Sequence, residues 1–320
     1  MKRFTSVHDV LAGPGLDTVL RDALELKRSS WMHETLGRRR TLGLLFMNPS
    51  LRTRMSTQKA GTLLGMDVMV LNAGSDSWTL ETRDGVVMDG TATEHIKEAA
   101  GVMGQYCDVL GIRTFAGLKD RNEDYNEEVM ESFIRYAGVP VVSLESATRH
   151  PLQSFADLIT IETLKRTARP KVVLTWAPHP KALPQAVANS FVEWMSAADV
   201  DLVVTHPEGY DLAPDFMRGV TMMHDQDAAF EGADFIYAKN WSNYGQYGAI
   251  TSMDPSWTVT VDKMKRTNDA RFLHCLPVRR NMIVTDEVLD GPWSAVLEQA
   301  GNRVVSAQTI LMHMVKELQA

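Results

Sequence analysis

Eight short apolar runs recur along the chain with helix-length segments between them, and this alternation limits the possible fold more than any other feature. The runs are TLGLLFM (41–47), DVMVL (67–71), DVLGI (108–112), PVVSL (140–144), KVVLTW (171–176), DLVVT (201–205), DFIYA (234–238) and RFLHC (271–275). Segments such as MSTQKAGTLLGM, TEHIKEAAGVMGQY, LQSFADLITIETLKRT and PQAVANSFVEWMS lie between them and read as helices. Near-continuous Val, Ile and Leu suit strands covered on both faces, so the pattern predicts βαβ units and an α/β fold. At 320 residues the chain is long for one core, and the polar stretch ESATRHPLQ (145–153) splits the strand series in two. The expected architecture is two doubly wound parallel-sheet domains, residues 1–149 and 150–302, with a C-terminal helix over 303–320 returning to the first. GPG at 13–15 follows no strand and reads as a turn.

Composition narrows the function classes. Hydrophobic residues make up 44% and charged residues 23%, the range of a soluble globular protein. A net charge of -7 argues against general nucleic-acid binding. Cys107 and Cys275 are too few and too far apart for a disulfide framework or a thiolate metal site. The opening MKRFTSVHDVL lacks an apolar signal region and no stretch approaches a membrane span, so a cytoplasmic protein is expected. HExxH, CxxC, GxGxxG and GxxxxGK[ST] are all missing, so neither a metal nor a nucleotide cofactor is expected.

In doubly wound sheets ligands sit at the carboxyl ends of strands. After the first run comes NPSLRTRMST (48–57), where Ser50 can cap a helix while Arg52, Thr53 and nearby backbone N–H groups can converge on a phosphate. A plain cap with a solvated basic turn explains this stretch equally well on its own. Arg113 follows another strand; Glu145, Arg149, His150 and Gln153 crowd before a helix that Pro151 can start. The three-residue spacing lets His150 and Gln153 donate to one carbonyl oxygen, although a lone His is more often structural. His179 lies between two prolines, Lys239 and Trp241 follow DFIYA, and Cys275, Arg279 and Arg280 follow RFLHC. Cys275 reads as a buried structural thiol or as a nucleophile, with only His274 beside it. Donors of this kind, repeated at strand ends, suit transfer of a group from a small phosphorylated donor.

SLRTR (50–54), HPLQ (150–153) and HCLPVRR (274–280) resemble, in order and spacing, the signature segments of the aspartate and ornithine carbamoyltransferase superfamily. The resemblance covers essentially the whole chain and is strongest to the N-acylornithine branch, through DSWTLET, GVVMDG, TWAPHP and EGADFIYAKNW. It implies that Ser50, Leu51, Arg52 and Thr53 bind the phosphate of carbamoyl phosphate. Arg113, His150 and Gln153 would hold its carbonyl oxygen, with Pro151 and Leu152 alongside and Arg303 adding a donor. Backbone at Cys275 and Leu276 would accept from the carbamoyl amide. Glu145, His179, Lys239 and Arg279 match residues around the acylated ornithine. Trp78 matches a Trp that reaches a neighbouring subunit's phosphate site, which implies a homotrimer with shared sites.

The acyl group is read from departures. Plain ornithine enzymes of the family carry an SMG loop that is not found here. After MDG, acetyl-type relatives have Glu and succinyl-type ones Pro, whereas this chain has Thr93, which would not repel a second carboxylate. Thr309 stands where acetyl-type enzymes have Lys, and Gly301 where relatives usually have Glu beside Arg303. The expected reaction is carbamoyl transfer to the δ-amine of N-succinyl-L-ornithine, with N-acetyl-L-ornithine as the alternative. Plain ornithine transfer and a catalytically silent paralogue are the remaining readings.

Overall fold

The computed structural model describes residues 1–319. Its strands are β1 (Arg3–Phe4), β2 (Thr41–Phe46), β3 (Asp67–Asn72), β4 (Leu80–Glu81), β5 (Glu94–His95), β6 (Val109–Arg113), β7 (Val141–Glu145), β8 (Lys171–Trp176), β9 (Asp201–Thr205), β10 (Thr221–Met223), β11 (Phe235–Lys239) and β12 (Arg271–Leu273). The helices that matter below are α1 (Arg52–Leu63), α2 (Ile96–Tyr106), α3 (Glu128–Tyr136), α4 (Pro151–Leu164), α5 (Ala186–Ala197) and α6 (Val296–Gln319). The chain forms two compact units. The first comprises Met1–Gly117, Asn122–Leu152 and the chain from Arg303 onward, the second Leu118–Arg121 and Gln153–Asn302.

In the first unit five parallel strands lie in the order β1-β7-β6-β2-β3. Leu42, Leu44, Leu45 and Phe46 of β2 are all buried, as a strand covered on both faces requires. One face packs Leu45, Leu110 and Ile112 against Ile96 and Ala100 of α2 and Met130 and Phe133 of α3. Where α2 approaches the end of α3, a Cβ at Gly104 would overlap the backbone carbonyl of Ala137. Gly104→Ala is therefore expected to lower the melting temperature by several degrees, as a rigid backbone clash costs about 1–3 kcal/mol; a thermal melt checks it. From Arg303 onward α6 packs within this unit, its Gln308 amide donating to the Ser30 carbonyl at 2.6 Å and its His313 imidazole 2.9 Å from Asp22.

The second unit repeats the plan with parallel order β10-β9-β8-β11-β12. One face gathers Val173, Val203, Ile236 and Phe272 with Phe230 and Val288. Elsewhere in its core Phe191 of α5 stacks on Tyr237 at 4.5 Å and Phe155 of α4 on Trp194 at 5.0 Å. His206 is fully buried, and burial holds its pKa below the usual 6.5. A depressed histidine contributes stability above its unfolded pKa and loses it as pH falls. Thermal stability should therefore decline as pH drops from about 7 towards about 5, and a His206→Phe variant should decline less steeply.

The doubly wound α/β architecture bears out the alternation in the sequence, and each of the eight apolar runs is a strand to within a residue or two; the short strands β1, β4, β5 and β10 had no such run and were not expected. RFLHC stops being strand at Leu273 because the His274 N–H turns to the Gln299 side chain at 2.8 Å. The last helix starts at Val296, seven residues before the expected start at 303. GPG lies in a turn. No helix among the described residues is long and apolar enough to cross a membrane.

Candidate active site

In the first unit the carboxyl ends of β2, β6 and β7 bring a buried charged cluster together. A register shift between Ile112 and Arg113 sets Arg113 opposite Glu145. The Arg113 guanidinium donates to Glu145 at 2.8 Å and to the carbonyls of Asn48 and Pro49 at 2.9 and 2.8 Å. It thereby braces the turn that leads into α1. There the Thr53 N–H donates to the Ser50 hydroxyl at 3.2 Å, so Ser50 satisfies one N–H of the first turn from just outside the helix, whose N-cap position is held by Leu51, and the phosphate reading rests on what surrounds it.

Arg303 of α6 is buried and donates to the Thr53 hydroxyl at 2.6 Å, with its second nitrogen 3.4 Å from His150 Nε2. His150 Nε2 is in turn 3.6 Å from the Glu145 carboxylate. Arg113, Arg303, Thr53, His150 and Glu145 thus form one low-exposure group that holds two guanidiniums and one carboxylate, the carboxylate paired with Arg113. A surplus of buried positive charge at a helix start suits a bound anion. Glu145, which the sequence linked to the acylated ornithine, is here the counter-ion of Arg113. Arg52 begins α1, and Leu51 just before it is exposed. Pro151 and Leu152 start α4 and are buried.

The turn before His150 is held by a residue that sequence reasoning missed. The Glu127 carboxylate accepts from the Ser146 and Thr148 hydroxyls at 2.6 and 2.5 Å and from the Thr148 N–H at 2.8 Å. No local pattern announces it, since its partners lie about twenty residues on. Arg54 packs over the Phe46 ring at 4.9 Å and bonds Asn72, so its main partners are an arene and an amide. Both residues line a cleft of about 670 Å³ together with Ser50, Leu51 and Gly74.

Trp78 is 53% exposed, and its indole donates to Glu94 at 2.7 Å. The Thr93 N–H bonds the Thr79 carbonyl at 3.2 Å, and β4 pairs with β5, so Trp78 and exposed Thr93 sit on one small platform. Thr309 is buried in α6, its hydroxyl bonded to the Val305 carbonyl at 2.8 Å. A Cβ at exposed Gly301 would meet nothing within 4 Å, and Arg303 two residues on is held by its bond to Thr53.

In the second unit His179 and Arg279, beyond β8 and β12, gather with Lys239, the last residue of β11. Arg279 Nε donates to His179 Nε2 at 3.0 Å, and His179 Nδ1 lies 2.8 Å from the Lys181 carbonyl. The Lys181 N–H also lies 3.0 Å from Nδ1, and the Arg279 donor requires an unprotonated Nε2. Burial lowers the His179 pKa, and the cations of Lys239, Arg279 and Lys181 push it the same way. Buried Lys239 donates to the Asn240 carbonyl at 2.8 Å.

Gln153, fully buried, donates at 2.7 Å to Asp157 one turn along α4. Cys275 is half-buried, and Leu276 beyond it has φ +52°, a conformation that side chains rarely adopt. The structure thus places Thr53, Arg113, His150 and Arg303 together in the first unit, and His179 with Arg279 in the second.

A family model described as the aspartate/ornithine carbamoyltransferase carbamoyl-P binding domain matches residues 2–163, and one described as the Asp/Orn binding domain matches 184–314. The chain is 56% identical to N-succinylornithine carbamoyltransferase of Bacteroides thetaiotaomicron, with all of both chains covered. It is 54% identical to the enzyme of that name from Bacteroides fragilis, covering 99% of this chain and 100% of that one. Among solved structures it is similar, with TM-score 0.92 and 34% identity over 98% of this chain and 100% of the other, to a glutamate-to-proline variant of N-acetyl-L-ornithine transcarbamylase complexed with carbamyl phosphate and N-succinyl-L-norvaline.

Proposed function

We infer, because the chain belongs to the aspartate/ornithine carbamoyltransferase family, that it is a carbamoyltransferase that moves the carbamoyl group of carbamoyl phosphate to the δ-amine of N-succinyl-L-ornithine. The products are N-succinyl-L-citrulline and phosphate, a step of arginine biosynthesis. The observation that carries the reading is end-to-end identity of 56% and 54% to N-succinylornithine enzymes, against 34% to the acetylornithine variant. N-acetyl-L-ornithine is the second reading, through that same structural likeness.

The uncharged δ-amine attacks the carbamoyl carbon. An N–C bond forms, negative charge gathers on the carbonyl oxygen, the C–O bond to phosphate breaks, and the proton shed by the amine passes to the departing phosphate. Ser50, Leu51, Arg52, Thr53 and Arg303 bind the phosphate. Arg113, His150 and Gln153 stabilise the oxyanion, with Pro151 and Leu152 beside them, and backbone at Cys275 and Leu276 accepts from the carbamoyl amide. Glu145, His179, Lys239 and Arg279 serve the acylated ornithine. Preorganised donors are suited to this work because they need not reorient as the charge develops.

The assembly is a cytoplasmic homotrimer in which Trp78 serves a neighbour's site. Support comes from apolar residues left exposed in the first unit: Leu51 just before α1, Met55 on α1, and Met69 and Leu71 on edge strand β3. Because Trp78 and Thr93 share one platform, both act in the same neighbouring site, and Thr93 there admits the succinyl carboxylate that a Glu would repel.

Two experiments test this. Purified protein with carbamoyl phosphate should carbamoylate N-succinyl-L-ornithine and leave N-acetyl-L-ornithine, ornithine and aspartate at most slowly turned over; product from ornithine alone would refute the acyl reading. Separately, inactive Trp78→Ala and Arg113→Ala chains, unfolded and refolded as a mixture, should regain activity, since mixed trimers contain intact shared sites. If the mixture stays inactive, Trp78 does not serve a neighbour.

A further inference from the structure

We infer that Asp157 is a positioning residue that aims one donor and one acceptor at the carbamoyl group. The inference rests on the roles proposed above for Gln153 and the Cys275–Leu276 backbone.

Asp157 is fully buried on α4, four residues after Gln153 and so on the same helical face. One of its oxygens accepts from Gln153 Nε2 and from Gln299 Nε2, each at 2.7 Å. Gln299, also fully buried, uses its own oxygen to accept the His274 N–H at 2.8 Å. His274 Nδ1 then accepts the Leu276 N–H at 2.9 Å. The hydrogen bonds form one continuous chain: Gln153, Asp157, Gln299, His274, Leu276.

Each link removes a rotational choice. The carboxylate can only accept, so it forces both glutamines to present nitrogen towards it and oxygen away. That fixes which end of the Gln153 amide is the donor and where its second N–H points. At the other end, Leu276 N–H and Cys275 C=O belong to one planar trans peptide and point in opposite directions. Fixing the N–H on His274 therefore aims the Cys275 carbonyl. The bond also helps to hold Leu276 at its unfavourable positive φ.

A carboxylate buried this deeply is costly compared with an apolar side chain of the same volume. Its compensation is orientation, because a group misplaced by about 1 Å can lower a rate by about 100-fold.

The test uses full-length enzyme with wild type and Gln153→Ala as references. Gln299→Glu sets two carboxylates face to face and should lower kcat by about 100-fold. In Asp157→Asn/Gln299→Glu the donor and acceptor exchange places, and kcat should return to within about tenfold of wild type. Inhibition by inorganic phosphate should stay within about twofold throughout, because the phosphate-binding residues are untouched. Should Gln299→Glu not fold, Gln299→Met takes its place: a lowered kcat with unchanged phosphate inhibition supports the inference, whatever the melting temperature loses to the unpaired Asp157 oxygen and His274 N–H. Wild-type kcat in Gln299→Glu or Gln299→Met, no recovery in the double variant, or a parallel loss of phosphate inhibition overturns it. A wild type inert towards carbamoyl phosphate and N-succinyl-L-ornithine would instead overturn the function, and an unaffected Gln153→Ala the role of Gln153.

Discussion

Arg113→Ala is expected to lower kcat/KM for carbamoyl transfer by on the order of 100- to 1000-fold, the usual effect of removing one oxyanion donor. The structure adds a second consequence. Arg113 and Glu145 are both buried and 2.8 Å apart, so the alanine leaves a carboxylate without its main counter-charge. Breaking a buried pair from one side costs about 3–5 kcal/mol. The guanidinium also braces the carbonyls of Asn48 and Pro49, so the turn into α1 should loosen. Steady-state kinetics and a thermal melt separate the two effects when Arg113→Ala/Glu145→Gln is included. The double variant should recover much of the melting temperature and little of the rate. If it recovered the rate as well, Arg113 would be structural only.

Arg303→Met is expected to raise the KM for carbamoyl phosphate and lower kcat/KM by about 100-fold, since a charge-assisted contact to a phosphoryl oxygen has no apolar substitute. Methionine keeps much of the stem's packing inside α6 and removes the fork that reaches Thr53 and His150. Inhibition by inorganic phosphate should weaken in parallel, whereas KM for N-succinyl-L-ornithine should change little. Unaltered phosphate inhibition would remove Arg303 from the anion site.

The residue types of the site were legible because they close or follow strands. Arg113, Lys239 and the HCLPVRR segment each lie just past an apolar run, and a parallel sheet leaves that end open for ligands. Ser50 alone was ambiguous, since a capping hydroxyl and a phosphate ligand have the same local sequence. Glu127, Asp157 and Gln299 were not legible at all. They act on partners reached through the fold, as with Gln299 and Asp157, 142 residues apart.

By itself the sequence determined that there are two parallel sheets, where four strands of each lie and which functional groups stand at their ends, the short edge strands β1 and β10 apart, which carry no apolar run. These are consequences of local periodicity and of the requirement that an apolar strand be covered on both faces. Only the tertiary structure decided that Arg113 faces Glu145, that Arg303 returns to Thr53, and that one buried carboxylate joins Gln153 to the turn after β12. The physical reason is that a side chain's polar partner is set by strand register and helix packing, which sum many weak contacts across the fold and leave no mark on neighbouring residues.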